Sequence, residues 1–188
     1  MKSIIKIGLL FSVLAFSSCE TEIVEKIDEF SFEQGGYMRQ VTPFPVGAFT
    51  VSRANMAGTK LELLAEAVTP NAGALFSSYD LVVRFVDATP ANGSNSKTDV
   101  ALKSYPASAY AKDPTTGYPR ATLSVTGKEM QDILKLTDAE IATGDRFEVR
   151  GTMKLTNGKS YNAANTGANI TGGAFYSSPF FHRVNIAN

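Results

Sequence analysis

Arg146-Phe147-Glu148-Val149-Arg150-Gly151-Thr152-Met153-Lys154-Leu155, followed by Thr156-Asn157-Gly158-Lys159, is the stretch that decides the fold. Side chains alternate across a β-strand, so Phe147, Val149, Gly151, Met153 and Leu155 share one face of a ten-residue strand. Asn157-Gly158 offers the two positive-φ positions of a type I′ turn, which predicts that Lys159–Asn162 pairs back antiparallel.

Working outward, the same pattern recurs in short stretches separated by Gly, Pro, Asn and Asp. Tyr79–Asp87 carries Leu81, Val83 and Phe85 against Val82, Arg84 and Val86; with apolar groups on both faces it reads as a central strand. Further strands are expected at Gly36–Val41, Ala48–Arg53, Lys60–Val68, Asp99–Ser104, Arg120–Val125 and Ser178–Ile186. Two prolines in Thr42-Pro43-Phe44-Pro45-Val46-Gly47 forbid regular ladder pairing there. Residues 88–97, 106–119 and 165–173 read as loops. Thr126-Gly127-Lys128-Glu129 has the form of a capping box, with Met130, Ile133 and Leu134 at helical spacing behind it, so one short helix is expected at 127–136. The sum is an all-β chain, an immunoglobulin-like antiparallel sandwich with one short connecting helix, or alternatively a small barrel.

The N-terminus carries different information. Lys2 and Lys6 precede the apolar run Ile7–Phe16, then the small residues Ser17 and Ser18, then Cys19. This is a charged n-region, a short h-region and a cleavage site, and the run is well short of the roughly 20 residues a spanning helix needs. The small-small-Cys ending resembles the lipobox of bacterial lipoproteins. That resemblance implies cleavage before Cys19, palmitate-type acyl chains on that cysteine, and a lasting outer-membrane anchor, since several buried chains hold where one is marginal. Cys19 is the chain's single cysteine, so no internal disulfide is available to it. Residues 20–34 carry Glu20, Glu22, Glu25, Asp28, Glu29 and Glu33 against Lys26, an acidic tether expected to stay solvated. Such a cluster directly after the lipid cysteine also resembles the surface-export signal of Bacteroidetes lipoproteins, which implies the cell exterior. The expected organisation is signal peptide 1–18, tether 19–34 and one sandwich domain 35–188.

Removal of residues 1–18 takes two lysines and no acid, leaving 16 basic and 18 acidic side chains and no electrostatic footprint for nucleic acid. His182, the sole histidine, falls in a predicted strand among phenylalanines, a structural position. With one histidine, no cysteine in the folded part and no Gly-x-Ser-x-Gly elbow, neither an enzyme nor a metal or other cofactor is expected. The many acids single out no catalytic pair, and Asp87 to Asp99 brackets an oxygen-rich loop without the spacing of a calcium loop. Tyr105, Tyr110, Tyr118, Tyr161 and Tyr176 fall in or beside predicted loops; an apolar face with a wet hydroxyl suits a sugar ring or a protein interface. Tyr105, Tyr110, Tyr118 and Tyr161 are therefore candidate ligand platforms.

Gly35-Gly36-Tyr37-Met38-Arg39, the strand Tyr79–Asp87, and Thr143–Gly151 with its hairpin Leu155–Lys159 resemble small lipoproteins of Bacteroidetes that accompany SusC/SusD-like outer-membrane nutrient importers. The resemblance implies an immunoglobulin-like domain placed beside such a transporter, acting as a non-enzymatic accessory to uptake. It brings no catalytic residue. A free-standing glycan-binding lipoprotein that uses the loop tyrosines, with a polysaccharide or peptide ligand, is the alternative; a hydrolase fits least.

Overall fold

A computed structural model describes residues 35–44, 47–171 and 180–188. The signal peptide, Cys19, the tether, Tyr176 and the first two residues of the predicted closing strand lie outside the described residues. Gly35–Asn188 forms one compact unit.

Two sheets face each other. Sheet A runs in the order β1 (Tyr37–Thr42), β3 (Lys60–Val68), β7 (Pro119–Thr126), β6 (Ala111–Lys112). Sheet B runs β2 (Phe49–Ser52), β10 (Phe181–Ala187), β8 (Arg146–Leu155), β4 (Phe76–Val86), β5 (Lys97–Pro106), with β9 (Ser160–Tyr161) also on β8. All pairs are antiparallel except β10 with β2, which is parallel. The first extended segment is shared between the sheets, β1 on one and β2 on the other, so the chain changes sheet between Thr42 and Phe49. This is the immunoglobulin-like sandwich, with the central β4 and β8 packed over the opposing β3 and β7.

The interior follows from alternation. Leu61, Leu63, Ala65 and Ala67 of β3 point in, as do Leu123 and Val125 of β7, Leu81, Val83 and Phe85 of β4, and Phe147, Val149 and Met153 of β8; all are buried. Gly151 interrupts the inward row of β8 for a reason of space. The ring of Tyr79 lies over it, and a Cβ at Gly151 would sit 1.9 Å from the Tyr79 hydroxyl oxygen.

Three local expectations need correction. The loop after β8 is not a type I′ turn: Gly158 has φ +83°, and Asn157 is not among the residues of positive φ. The Gly158 amide donates to Leu155 O (3.1 Å) and the Leu155 amide to Lys159 O (2.9 Å), the pattern of a type I turn closed by a left-handed glycine. The antiparallel return strand is present but only two residues long. The helix, α1, covers Gly127–Ile133 and so ends three residues early. Its capping box is formed, with the Glu129 amide donating to Thr126 Oγ1 (3.1 Å) and the Thr126 amide to Glu129 Oε2 (2.7 Å). It stops because Lys135 turns left-handed (φ +55°), which lets the Lys135 amide reach Asp132 O (3.0 Å) and the Leu136 amide reach Gln131 O (3.1 Å). That closure swings Leu136 into the core. Lastly, residues 106–119 are not a free excursion. They contain a 3-10 turn, the short strand β6, and side chains that pack down on sheet A.

Two substitutions test this account. Gly151→Ala forces a methyl group into the Tyr79 ring and is expected to lower unfolding free energy by about 1–3 kcal/mol in urea titration. Lys135→Gly removes the cost of a left-handed lysine and is expected to raise it by about 0.5–1 kcal/mol.

Candidate functional site

Each sheet carries one glutamate on the outer face of a middle strand, flanked across the ladder by arginines. In sheet A, Glu66 of β3 stands opposite Arg39 of β1 and Arg120 of β7. It is ion-paired with Arg39 and accepts from Arg120 Nε (2.6 Å) and from Thr116 Oγ1 (2.9 Å). Arg120 Nη1 also donates to Asp113 (2.7 Å), whose carboxylate in turn accepts the amides of Thr115 and Thr116. The Thr116 amide, with its hydroxyl and Arg120, holds the Asp113 carboxyl below its ordinary pKa. This rung is closed. The loop folds over it, Glu66 is fully buried, and two arginines meet two acids.

In sheet B, Glu148 of β8 stands opposite Arg84 of β4 and Arg183 of β10. Glu148 is 4% exposed and accepts from Arg84 Nε (2.7 Å), Arg146 Nε (2.9 Å) and Arg150 Nη2 (3.4 Å). Burial pushes its carboxyl up, but the hydrogen bonds from Arg146 and Arg84 outweigh that and leave it below the ordinary range. Arg150 makes a two-pronged contact with Asp99 of β5 through Nη1, 2.8 and 2.9 Å. Arg183 is exposed and has no ion pair among the described residues. Four arginines thus meet two acids on a face that no loop covers among the described residues, a surplus of two positive charges. Beside them, β4, β5 and β8 enclose a shallow depression of about 580 Å³ over Val82 and Ala101, rimmed by Asp80, Ser104, Thr152 and Lys154. Asp80 there accepts from Ser104 Oγ (2.6 Å) and pairs with Lys154 Nζ (2.6 Å).

The candidate tyrosines are largely spent on structure. Tyr105 is 9% exposed, and its hydroxyl donates to Ser124 O (2.9 Å) and accepts the Ser124 amide (3.0 Å). It seals β7 beyond the reach of the two-residue β6 and is not an exposed platform. Tyr110 packs edge-on against Phe76 (4.7 Å between centroids), and burial raises its phenol pKa well above the ordinary value. Tyr161 also rests on the core. Tyr118, half-buried, lies in the β6–β7 turn, where its carbonyl accepts the Asp113 amide (3.0 Å). Tyr105, Tyr110 and Tyr161 are thus folded onto the core, and Tyr118 alone of the four does not pack against it.

His182 points between the sheets at 3% exposure, edge-on to Phe49 at 5.9 Å. Its Nδ1 has no partner among the described residues, and neither has Oε1 of Gln40, a residue that lines the same small crevice. Asp87 spends its carboxylate on the amides of Thr89 and Asn95 (both 2.8 Å), and buried Asp145 takes those of Ala88 (2.9 Å) and Ala142 (2.7 Å). The oxygen-rich loop is thereby pinned by its own acids. The arginine cross was not singled out in the sequence, although Arg146, Glu148 and Arg150 occupy the outward positions of the strand that decides the fold.

No protein-family model matches the chain. No curated protein matches its sequence. Among solved structures it is similar to a DUF4466 family protein from Parabacteroides merdae (14% identity, TM-score 0.29, 68% of this chain and 41% of that one). It is also similar to AggA, the major subunit of aggregative adherence fimbriae type I from Escherichia coli (10% identity, TM-score 0.29, 81% and 95%). The chain spans about two fifths of the first and nearly all of the second.

Burial of His182 sets a pH dependence. Its pKa falls from the ordinary 6.5 to about 4 on folding. Above pH 6.5 the imidazole is neutral in both states and contributes nothing. As pH falls toward 4 the unfolded chain takes up a proton that the folded one refuses, so stability drops by roughly 3 kcal/mol across that window. Glu148 and Asp113, whose pKa values are lowered by folding, add a further loss below the ordinary carboxylate range. His182→Leu is expected to flatten the curve between pH 6.5 and 4.5 and to leave the steeper fall below it, read by urea unfolding at each pH.

Proposed function

We propose that this chain is a lipid-anchored protein of the cell exterior that works by binding, as an accessory to a SusC/SusD-like importer. The observation that carries this reading is the order of parts along the chain: an apolar leader, the lone cysteine and an acidic tether, leading into a sandwich whose sheet B leaves an arginine-rich face open. The leader and Cys19 match the lipobox pattern, the acids match a surface-export signal, and an immunoglobulin-like domain is a rigid frame for presenting a face to a partner. The buried His182, and the acids committed to loop amides and arginines, support binding over catalysis.

The reading is tested in two steps. The tagged chain, solubilised from membranes in mild detergent, is expected to bring down a β-barrel importer, and recovery without one counts against the accessory role. Cys19→Ser is expected to move the protein out of the membrane fraction and to abolish its digestion by protease added to intact cells. A variant still membrane-bound and still protease-accessible would sink the anchor.

A further inference from the structure

We propose that the outer face of sheet B is a binding surface for an acidic polysaccharide, with Arg183, Arg146 and Arg84 taking the oxyanions and the adjoining depression taking the sugar hydroxyls. This rests on the surface-capture reading above.

The two glutamate rungs share one chemistry and differ in what surrounds them. In sheet A the guanidinium groups are matched by acids and roofed by a loop, so that rung is complete as a piece of structure. In sheet B the same rung is left open and has a surplus of guanidinium. Glu148 holds Arg84 through both Nε and Nη2 and Arg146 through Nε, which leaves the Nη1 group of Arg84 and the terminal N–H groups of Arg146 off that carboxylate. Arg183 completes the cross from the neighbouring strand, its donors uncommitted among the described residues. Side chains held in place by an internal partner lose less freedom when a ligand arrives, and the planar fork of arginine matches carboxylate and sulfate oxygens. Arg84 and Arg183 flank Glu148 from either side, two strand spacings or about 10 Å apart, and alternate residues along a strand are roughly 7 Å apart, so several anions of one extended polymer are met at once. The depression adds hydroxyl, carboxylate and ammonium groups over a small apolar floor, partners for sugar hydroxyls that an acidic peptide would not need.

The test is retardation of the full lipidated chain, in detergent, on native gels containing polygalacturonate, dextran sulfate, unmodified dextran or polyglutamate. Retardation by polygalacturonate, dextran sulfate or both is expected, weakened by 0.5 M salt, and which of the two binds distinguishes carboxylate from sulfate. Arg183→Glu is expected to weaken it by roughly tenfold or more and Arg183→Gln by less, whereas Lys112→Glu, an exposed charge on sheet A, leaves it unchanged. No retardation by either acidic polysaccharide, equal retardation by dextran, binding of polyglutamate as tight as the polysaccharides, or an unaffected Arg183→Glu variant would overturn the proposal. Importer co-isolation is scored on the same variants. Loss of the polymers with the importer retained locates a fault in this inference and not in the reading beneath it.

Discussion

The ring of Tyr79 occupies the space that Gly151 leaves empty, and the arrangement of sheet B depends on that contact. Side chains in a strand repeat with period two, so a slip of β8 by one residue exchanges its faces completely. Phe147, Val149 and Met153 would go to water, and Arg146, Glu148 and Arg150 would go between the sheets. Either half of that exchange is costly, but apolar burial alone only requires that some register of the right parity be chosen. The glycine narrows it further, because among the inward residues of β8 it is the one that leaves room for a tyrosine ring. The packing inside therefore determines which charges meet outside.

Buried ion pairs are ambiguous as sources of stability, since removing carboxylate and guanidinium from water costs much of what their attraction returns. Glu66 and Glu148 are better understood by what they hold in place. Glu66, through Thr116 and Arg120, fastens the 113–118 turn to the outer face of sheet A and gives that turn one position. Among the described residues Glu148 has no loop to fasten. Its partners are three arginines whose side chains remain about a third exposed, so what it fixes is the direction of guanidinium groups at a surface. The same local chemistry closes one sheet and equips the other.

Much of the fold was legible in the sequence because strand alternation is a local signal. The strands at 37–42, 60–68 and 146–155 and the capping box at Thr126 follow from neighbours within a few residues of one another. Where the reading failed, a distant contact had overruled a local rule. Asn157-Gly158 supports a type I′ turn by composition, yet Asn157 keeps negative φ and the glycine alone turns left-handed. α1 ends early because Leu136 reaches the core only if Lys135 adopts a conformation lysine disfavours. The tyrosines lie in segments rich in turn formers, which predicts exposure, but Tyr105 and Tyr110 belong to a segment that folds back and uses them to close the sandwich edge.

The candidate site was less legible than the fold, and sequence separation is the reason. Arg84 and Glu148 are 64 residues apart, and Arg150 and Asp99 are 51. They become neighbours only through the register of β4, β5, β8 and β10, which no local window contains. A catalytic motif often survives as a short string because a turn or a helix positions its members; a sheet face does not, because adjacent positions come from different strands. The legible half was the alternation of Arg146, Glu148 and Arg150 opposite a row of core residues, a pattern that by itself describes any solvated strand. What distinguishes this face is the count across strands, four arginines to two acids. That surplus exists only once the core has decided which strands lie side by side.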